Sequence, residues 1–284
     1  MEDFLVASLT ALVGILFGIL AVMIGIGGGL MNVPYFIFVL NIDEIATLTS
    51  TYVILFTSIS GTIKYYRQNR IDIKTGLIFS VIAVPGALLG AYTAQKIITD
   101  VSIIKFLFAV LIGLTALKNL LKKNSPSDTE GTPVLEDHEE SFYLQKRRIV
   151  AENGQVYEYT VKIGIGSLVA LAGGFVAGLL GVGGGIIFVP LLTSVVGVPI
   201  HIAAATSTFM IVFMTIVVLT TRFLLFEGDI TPVLFWGTSL AIGAVIGAYF
   251  GAAKAKKIDS VRLLKLFWFV ALISSIRMGW GALF

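Results

Sequence analysis

Long apolar runs dominate the chain, interrupted at regular places by short polar or glycine-rich intervals. With about 20 residues needed to cross the hydrocarbon core, the pattern predicts membrane segments over 4–24, 30–40, 44–66, 73–94 and 101–121. It predicts a second series over 161–180, 186–197, 200–225, 231–253 and 260–282. At 1.5 Å per residue the segments 30–40 and 186–197 are short for a full crossing. Each is therefore either a half-helix continuing a broken span or a re-entrant arm.

The two series are copies. Gly25-Ile26-Gly27-Gly28-Gly29-Leu30-Met31-Asn32-Val33-Pro34 precedes Gly181-Val182-Gly183-Gly184-Gly185-Ile186-Ile187-Phe188-Val189-Pro190 by 156 residues, with six of ten identical. Ile45 to Thr51 matches Ile202 to Thr208 at five of seven positions, and Gly86 to Tyr92 matches Gly243 to Tyr249 equally well. Three matches in fixed order indicate a duplication. The domains expected are a first membrane repeat over 1–121, a linker over 122–160 and a second membrane repeat over 161–284.

Composition agrees with a life in lipid: 57% of the 284 residues are hydrophobic and 13% are charged, against roughly 25% charged in a soluble domain. Fourteen of the 37 charges fall between Lys122 and Lys162, so a polar island separates two membrane blocks. The N-terminus, Met1-Glu2-Asp3-Phe4, lacks the basic region of a cleavable signal, and is read as leading into a mature first span. No cysteine is present and only two histidines, so thiolate and His-ligated metal chemistry are not expected, and no cofactor is.

Charge also orients the repeats, because cytoplasmic loops collect Lys and Arg. Lys64, Arg67, Arg70 and Lys74 crowd one loop of the first half, whereas its counterpart offers Arg222 beside Glu227 and Asp229. One loop later the bias reverses: Lys254, Lys256, Lys257, Arg262 and Lys265 face Lys96 and Lys105. Equivalent loops on opposite sides require an odd number of crossings per half, hence an inverted repeat. The expected fold class is all-α: a polytopic transmembrane bundle of two inverted repeats, five segments each, with both termini outside and the linker cytoplasmic. Within that linker, residues 124–141 read as flexible. Strand-like runs flank Asn153-Gly154, which suits a type I′ turn, so a small hairpin is expected there.

The candidate chemistry follows from what lipid forbids. Unsatisfied backbone groups in a bilayer cost several kcal/mol each, so the triplets Gly27-Gly28-Gly29 and Gly183-Gly184-Gly185 imply a partner for their freed amides. An anion suits them, since each triplet opens a helix with its positive dipole end. The competing role, close helix packing, fits Gly14 with Gly18, Gly86 with Gly90, and Gly243 with Gly247 and Gly251. Thr49-Ser50-Thr51 and Thr206-Ser207-Thr208 bring uncharged donors, or else bond back to their own helix. Asn32, replaced by Phe188 in the second half, is a candidate asymmetric donor. Arg222, Arg277 and Lys118 are expected to snorkel from span ends; turned inward, Arg222 would be the best fixed counter-charge. His201 is either titratable beside the hydroxyl cluster or interfacial.

The paired Gly-Gly-Gly-x-x-x-Val-Pro motifs, each followed by a Thr-Ser-Thr helix and a Gly-Ala-x-x-Gly-Ala-Tyr helix, resemble the sulfite exporter TauE/SafE family of membrane permeases. The resemblance covers nearly the whole chain outside residues 122–160. It implies a transporter of sulfite, sulfoacetate or other organosulfonates in a cell membrane, with members working in export or uptake; export by alternating access is expected here. The expected partners are thus a small sulfur-containing anion and the bilayer, not nucleic acid, with a homo-oligomer allowed. Alternatives are a passive anion channel and a membrane assembly factor. An enzyme is disfavoured, for no catalytic constellation is visible.

Overall fold

A computed structural model of the chain describes residues 2–98, 100–121, 144–254 and 260–283. The first half contains α1 (Glu2–Ile24), α2 (Gly29–Phe38), α3 (Ala46–Arg67), α4 (Ile73–Tyr92) and α5 (Val101–Leu121). A hairpin, β1 (Leu144–Val150) and β2 (Val156–Lys162), leads directly into the second half. That half contains α6 (Ile163–Leu180), α7 (Gly185–Pro190), α8 (Ile200–Leu225), α9 (Thr231–Lys254) and α10 (Ser260–Leu283). The bundle is all-α apart from the hairpin, and among the described residues six helices are long and apolar enough to cross a membrane. Large apolar side chains such as Leu12, Leu16, Val81, Leu168 and Ile242 point outward, as lipid-facing positions do.

The two short helices are returning arms. Gly28 lies against Ala21, Tyr35 packs edge-on against Phe17, and its hydroxyl bonds to Thr10 at 2.8 Å. Successive α2 residues therefore meet earlier α1 residues, so α2 doubles back along α1. In the second half Gly184 lies against Ala177 and Ile187 against Gly173, which returns α7 along α6. Ten residues give α2 about 15 Å, half the hydrocarbon thickness of about 30 Å. After α7 the chain widens into a π-helical turn, Leu191–Val196.

Glycine sets the closest helix pairs. Gly243, Gly247 and Gly251 of α9 sit against Ala11, Ile15 and Ile19 of α1, with both numbers rising together, so the helices run parallel. Gly86 and Gly90 of α4 meet Leu171 and Phe175 of α6 in the same sense. A third pair, α5 with α10, runs antiparallel: Ser275 reaches Gly113 and donates to the Ala109 carbonyl, while Gly279 lies beside Ala109. The small-residue faces of α1, α4, α6 and α9 are thus used within the chain.

The hairpin forms where expected, in antiparallel register from Leu144 opposite Lys162 to Val150 opposite Val156. Its turn differs from the expected type I′. The Gly154 N–H bonds to the Ala151 carbonyl and the Ala151 N–H to Gln155, while of Asn153 and Gly154 only the glycine has positive φ. This is the three-residue loop in which one left-handed glycine follows an ordinary turn. The flexible stretch 124–141 lies outside the described residues.

Candidate functional site

The two glycine breaks cross at the centre of the bundle. In the first, Gly25, Gly27 and Gly28 have φ of 78°, 82° and 94°; in the second, Gly181, Gly183 and Gly184 have 67°, 77° and 80°. Three left-handed residues in five is a path open to glycine at little cost and to other residues at about 1–2 kcal/mol each. Gly28 and Gly184 then open α2 and α7 with no side-chain cap. A Cβ on Gly29 would lie 2.5 Å from Val182 Cα, and one on Gly185 would lie 2.3 Å from Ile26 Cα. Each break therefore rests on the other's backbone. Ile54 of α3 and Ile211 of α8 flank both Gly27 and Gly183.

The hydroxyl clusters hold these breaks. Ser50 Oγ donates to the Gly181 carbonyl at 3.3 Å, and Ser207 Oγ to the Gly25 carbonyl at 2.9 Å. Each serine thus reaches the break of the other half. Thr49, Thr51 and Thr208 donate to carbonyls one turn earlier in their own helices, the back-bonding that hydroxyls make in apolar surroundings. Thr206 Oγ1 accepts the Asp72 N–H at 3.0 Å. Asn32 is buried next to Gly28, and its Oδ1 has no hydrogen-bond partner among the described residues.

Arg222 does turn inward. It is 3% exposed, and donates to Thr47 Oγ1 at 2.6 Å and to the Gly178 and Leu179 carbonyls at 2.8 and 3.2 Å. These carbonyls end α6, where the dipole is negative, so Arg222 acts as a C-terminal cap. Tyr65 does the corresponding work in the first half, donating to the Val22 carbonyl near the end of α1 at 2.9 Å. Beside Arg222, the pocket bounded by Thr51, Gly181 and Gly183 has no room for a water.

Room exists instead on the side of the α3–α4 loop. A cavity of about 220 Å³ is walled by Ile24 and Ile26 of the first break, Gly185, Ile186 and Val189 of the second half, and Tyr65, Arg70, His201 and Trp268. Arg70 is 4% exposed. The loop carries it inward just after Asn69, which adopts a left-handed φ of 51°. Sequence reasoning counted Arg70 with the solvated loop charges, and no spacing marks it off from Arg67 or Lys74. Arg277, at the opposite end, is exposed, stacks over Phe38 at 4.3 Å and borders a second cavity of about 230 Å³.

The hairpin closes over the same end of the molecule. Its inward residues Tyr157, Tyr159 and Val161 join a buried cluster with Phe79, Ala83, Ile202 and Ala203, and the Glu152 N–H bonds to the Gln68 carbonyl. Asp72, 4% exposed, caps α4 through Thr75, accepts the Tyr159 hydroxyl at 2.8 Å and lies 3.7 Å from Arg147 Nε. Burial, then the charge and hydrogen bond of Asp72, push the Tyr159 hydroxyl far above the usual phenol range. A phenol pKa raised by folding gives stability that is complete below the unfolded value, near 10, and is lost as pH rises beyond it. The melting temperature in detergent should therefore hold between pH 7 and 9 and fall above about 10. Tyr159→Phe should lower it already at pH 7, by about 1–3 kcal/mol of stability, with a flatter alkaline limb. An unchanged melting curve would mean that the hairpin contributes no hold on Asp72.

Returning arms, paired glycine breaks and helices that cross lipid define a polytopic membrane transporter, and known proteins agree. The family model described as Sulfite exporter TauE/SafE matches residues 10–278, and the chain belongs to that family. It is 27% identical to the probable membrane transporter protein YunE of Bacillus subtilis, over 95% of this chain and 96% of that one. It is 26% identical to probable membrane transporter protein YdhB of the same organism, over 86% and 88%. Sulfite exporter TauE/SafE family protein 2 of Arabidopsis thaliana shares 32% identity over 36% of this chain and 23% of its own. No solved structure matches the chain. These relatives carry transporter names, consistent with a protein that is not an enzyme.

Proposed function

We propose that the protein moves small sulfur-containing anions, sulfite or short organosulfonates, across the cell membrane by alternating access, with export as the working direction. The observation that carries this reading is the crossing of two glycine breaks at the core, bordered by a cavity with a buried cation. Amides that no side chain caps, at the openings of α2 and α7, favour an anion near Gly27, Gly28, Gly29, Gly183, Gly184 and Gly185. Ser50 and Ser207 fix the breaks on which that site depends, and Asn32 adds a buried amide. The name of the family supports sulfite as the first substrate to try.

The helix registers favour two halves of opposite orientation. α1 pairs with α9 as α6 pairs with α4, which exchanges the halves, and the odd count of segments per half reverses direction. Lys64, Arg67 and Lys74 support a cytoplasmic side for the α3–α4 loop and the hairpin. Rocking the α1–α9 and α4–α6 pairs against each other would expose the crossing to each side in turn.

Counterflow tests the mechanism. Proteoliposomes loaded with unlabelled sulfite should take up radiolabelled sulfite transiently above equilibrium, and uptake should saturate. Uptake that follows voltage without counterflow or saturation would identify a passive channel; no anion flux at all would favour an assembly role. Because the chain has no cysteine, Gly154→Cys and Gly228→Cys report orientation directly. An impermeant maleimide applied to intact cells should label the second and spare the first; the reverse pattern would overturn the orientation.

A further inference from the structure

We propose that Arg70 is the anion-binding cation of this transporter, and that the substrate occupies the cavity between its guanidinium and the crossing of the glycine breaks. The proposal rests on the transport reading above and assigns it a residue.

Arg70 is almost wholly buried, yet its charge is unanswered. Nη1 donates to Gln68 Oε1 at 3.3 Å and Nη2 to the His201 carbonyl at 3.1 Å, while Nε has no partner. No carboxylate oxygen is paired with it among the described residues, since nearby Asp72 is taken by Thr75, Tyr159 and Arg147. Five N–H groups in a planar fork thus meet two long contacts to neutral oxygens. A buried charge without a counter-ion is costly, and an anion in the adjoining cavity would answer this one. Arg222, the other inward arginine, differs: its donors hold Thr47 and the carbonyls that end α6.

The cavity is on the guanidinium's side of the break. Its volume of about 220 Å³ compares with about 30 Å³ for one water, enough for a small oxyanion and a few waters. A guanidinium offers two parallel N–H donors, which suit two oxygens of a sulfite or sulfonate head. The Tyr65 ring, 5.2 Å from Arg70 Cζ, holds the fork from one face. Ile26, Ile186, Val189 and Trp268 present an apolar wall, which accepts a short carbon body. The chemistry selected is an oxyanion head with at most a short apolar tail. Chloride, which cannot use the fork bidentately, is disfavoured.

The test uses the full-length protein in detergent and in liposomes, with sulfite as probe and chloride at equal ionic strength as reference. Sulfite should raise the melting temperature of the wild type saturably. Arg70→Gln should weaken that response by roughly 30-fold or more, and Arg70→Lys, which keeps charge and loses the fork, by about tenfold. Val189→Phe, which fills the cavity without touching the charge, should also abolish binding, and decides the matter if the arginine variants fail to fold. If the wild type responds to sulfite and Arg70→Gln, or Val189→Phe in its place, stays within twofold of it, the assignment of Arg70 and its cavity is overturned. If the wild type neither binds nor carries any sulfur oxyanion, the transport reading itself falls and takes the assignment with it.

Discussion

Gly185→Ala and Gly29→Ala should each abolish anion flux and lower the melting temperature in detergent by about 6–12 °C. A Cβ at Gly185 would stand 2.3 Å from Ile26 Cα, and one at Gly29 would stand 2.5 Å from Val182 Cα. Both obstacles are backbone, so no rotamer change relieves them, and the opposite break must move. Overpacking of this kind costs about 3 kcal/mol, which for a chain of this size is a shift of several degrees. The neighbouring Gly28 provides the contrast. Its Cβ would meet Ala21 Cβ at 3.3 Å, a tight contact that a few tenths of an ångström of movement relieves, and its φ of 94° charges any other residue for a left-handed backbone. Gly28→Ala should therefore lose only about 1–2 kcal/mol and keep partial flux. A loss at Gly28 as large as at the other two would show that its left-handed backbone costs as much as the contact between the breaks. Wild-type flux and melting in both Gly29→Ala and Gly185→Ala would remove the crossing from the mechanism.

The duplication was legible because glycine at a break and glycine at a helix contact are both constrained by backbone geometry, which leaves few substitutes in either copy. Every glycine of Gly25 to Pro34 and of Gly86 to Tyr92 accordingly recurs in the second copy. The direction of the short segments was not legible, since ten apolar residues read alike whether they continue a span or return along it; only the approach of Tyr35 to Phe17 and Thr10 decides that. The hydroxyls were found as a cluster but not sorted by role. Ser50 and Thr51 are adjacent in sequence and both lie near Gly181, yet Ser50 donates across to its carbonyl and Thr51 back to its own helix, a choice of acceptor that sequence does not record. Arg222 drew notice at a span end, expected to snorkel but a fixed counter-charge if turned inward. Arg70 escaped because it sits among other loop cations, and its burial depends on a left-handed Asn69 and on α8 arriving from the other half of the chain.

Replacing Gly243 or its counterpart Gly86 with Val should prevent either protein from accumulating as a folded, monodisperse species. The α1–α9 and α4–α6 contacts are so close that a Cβ at Gly243 would lie 1.7 Å from the Ala11 carbonyl oxygen, and one at Gly86 would lie 2.2 Å from that of Leu171. At such separations backbone meets backbone, and much of the attraction between helices in lipid comes from this approach rather than from expulsion of water. A branched side chain forces the axes apart over the whole contact. Neighbours at Gly247 and Gly251, or at Gly90, then lose their packing as well. The expected loss is about 3–5 kcal/mol, a large share of the roughly 5–15 kcal/mol by which most folded proteins are stable. Gly279→Ala is the control, because its Cβ would meet Ala109 Cβ at an ordinary 3.6 Å; it should fold normally. Size-exclusion profiles of detergent extracts read all three. The equivalence of positions 86 and 243 adds a sharper test than either variant alone. If one loses its fold and the other keeps it, the two halves do not share a packing scheme, and a mechanism that rocks matched helix pairs loses its basis.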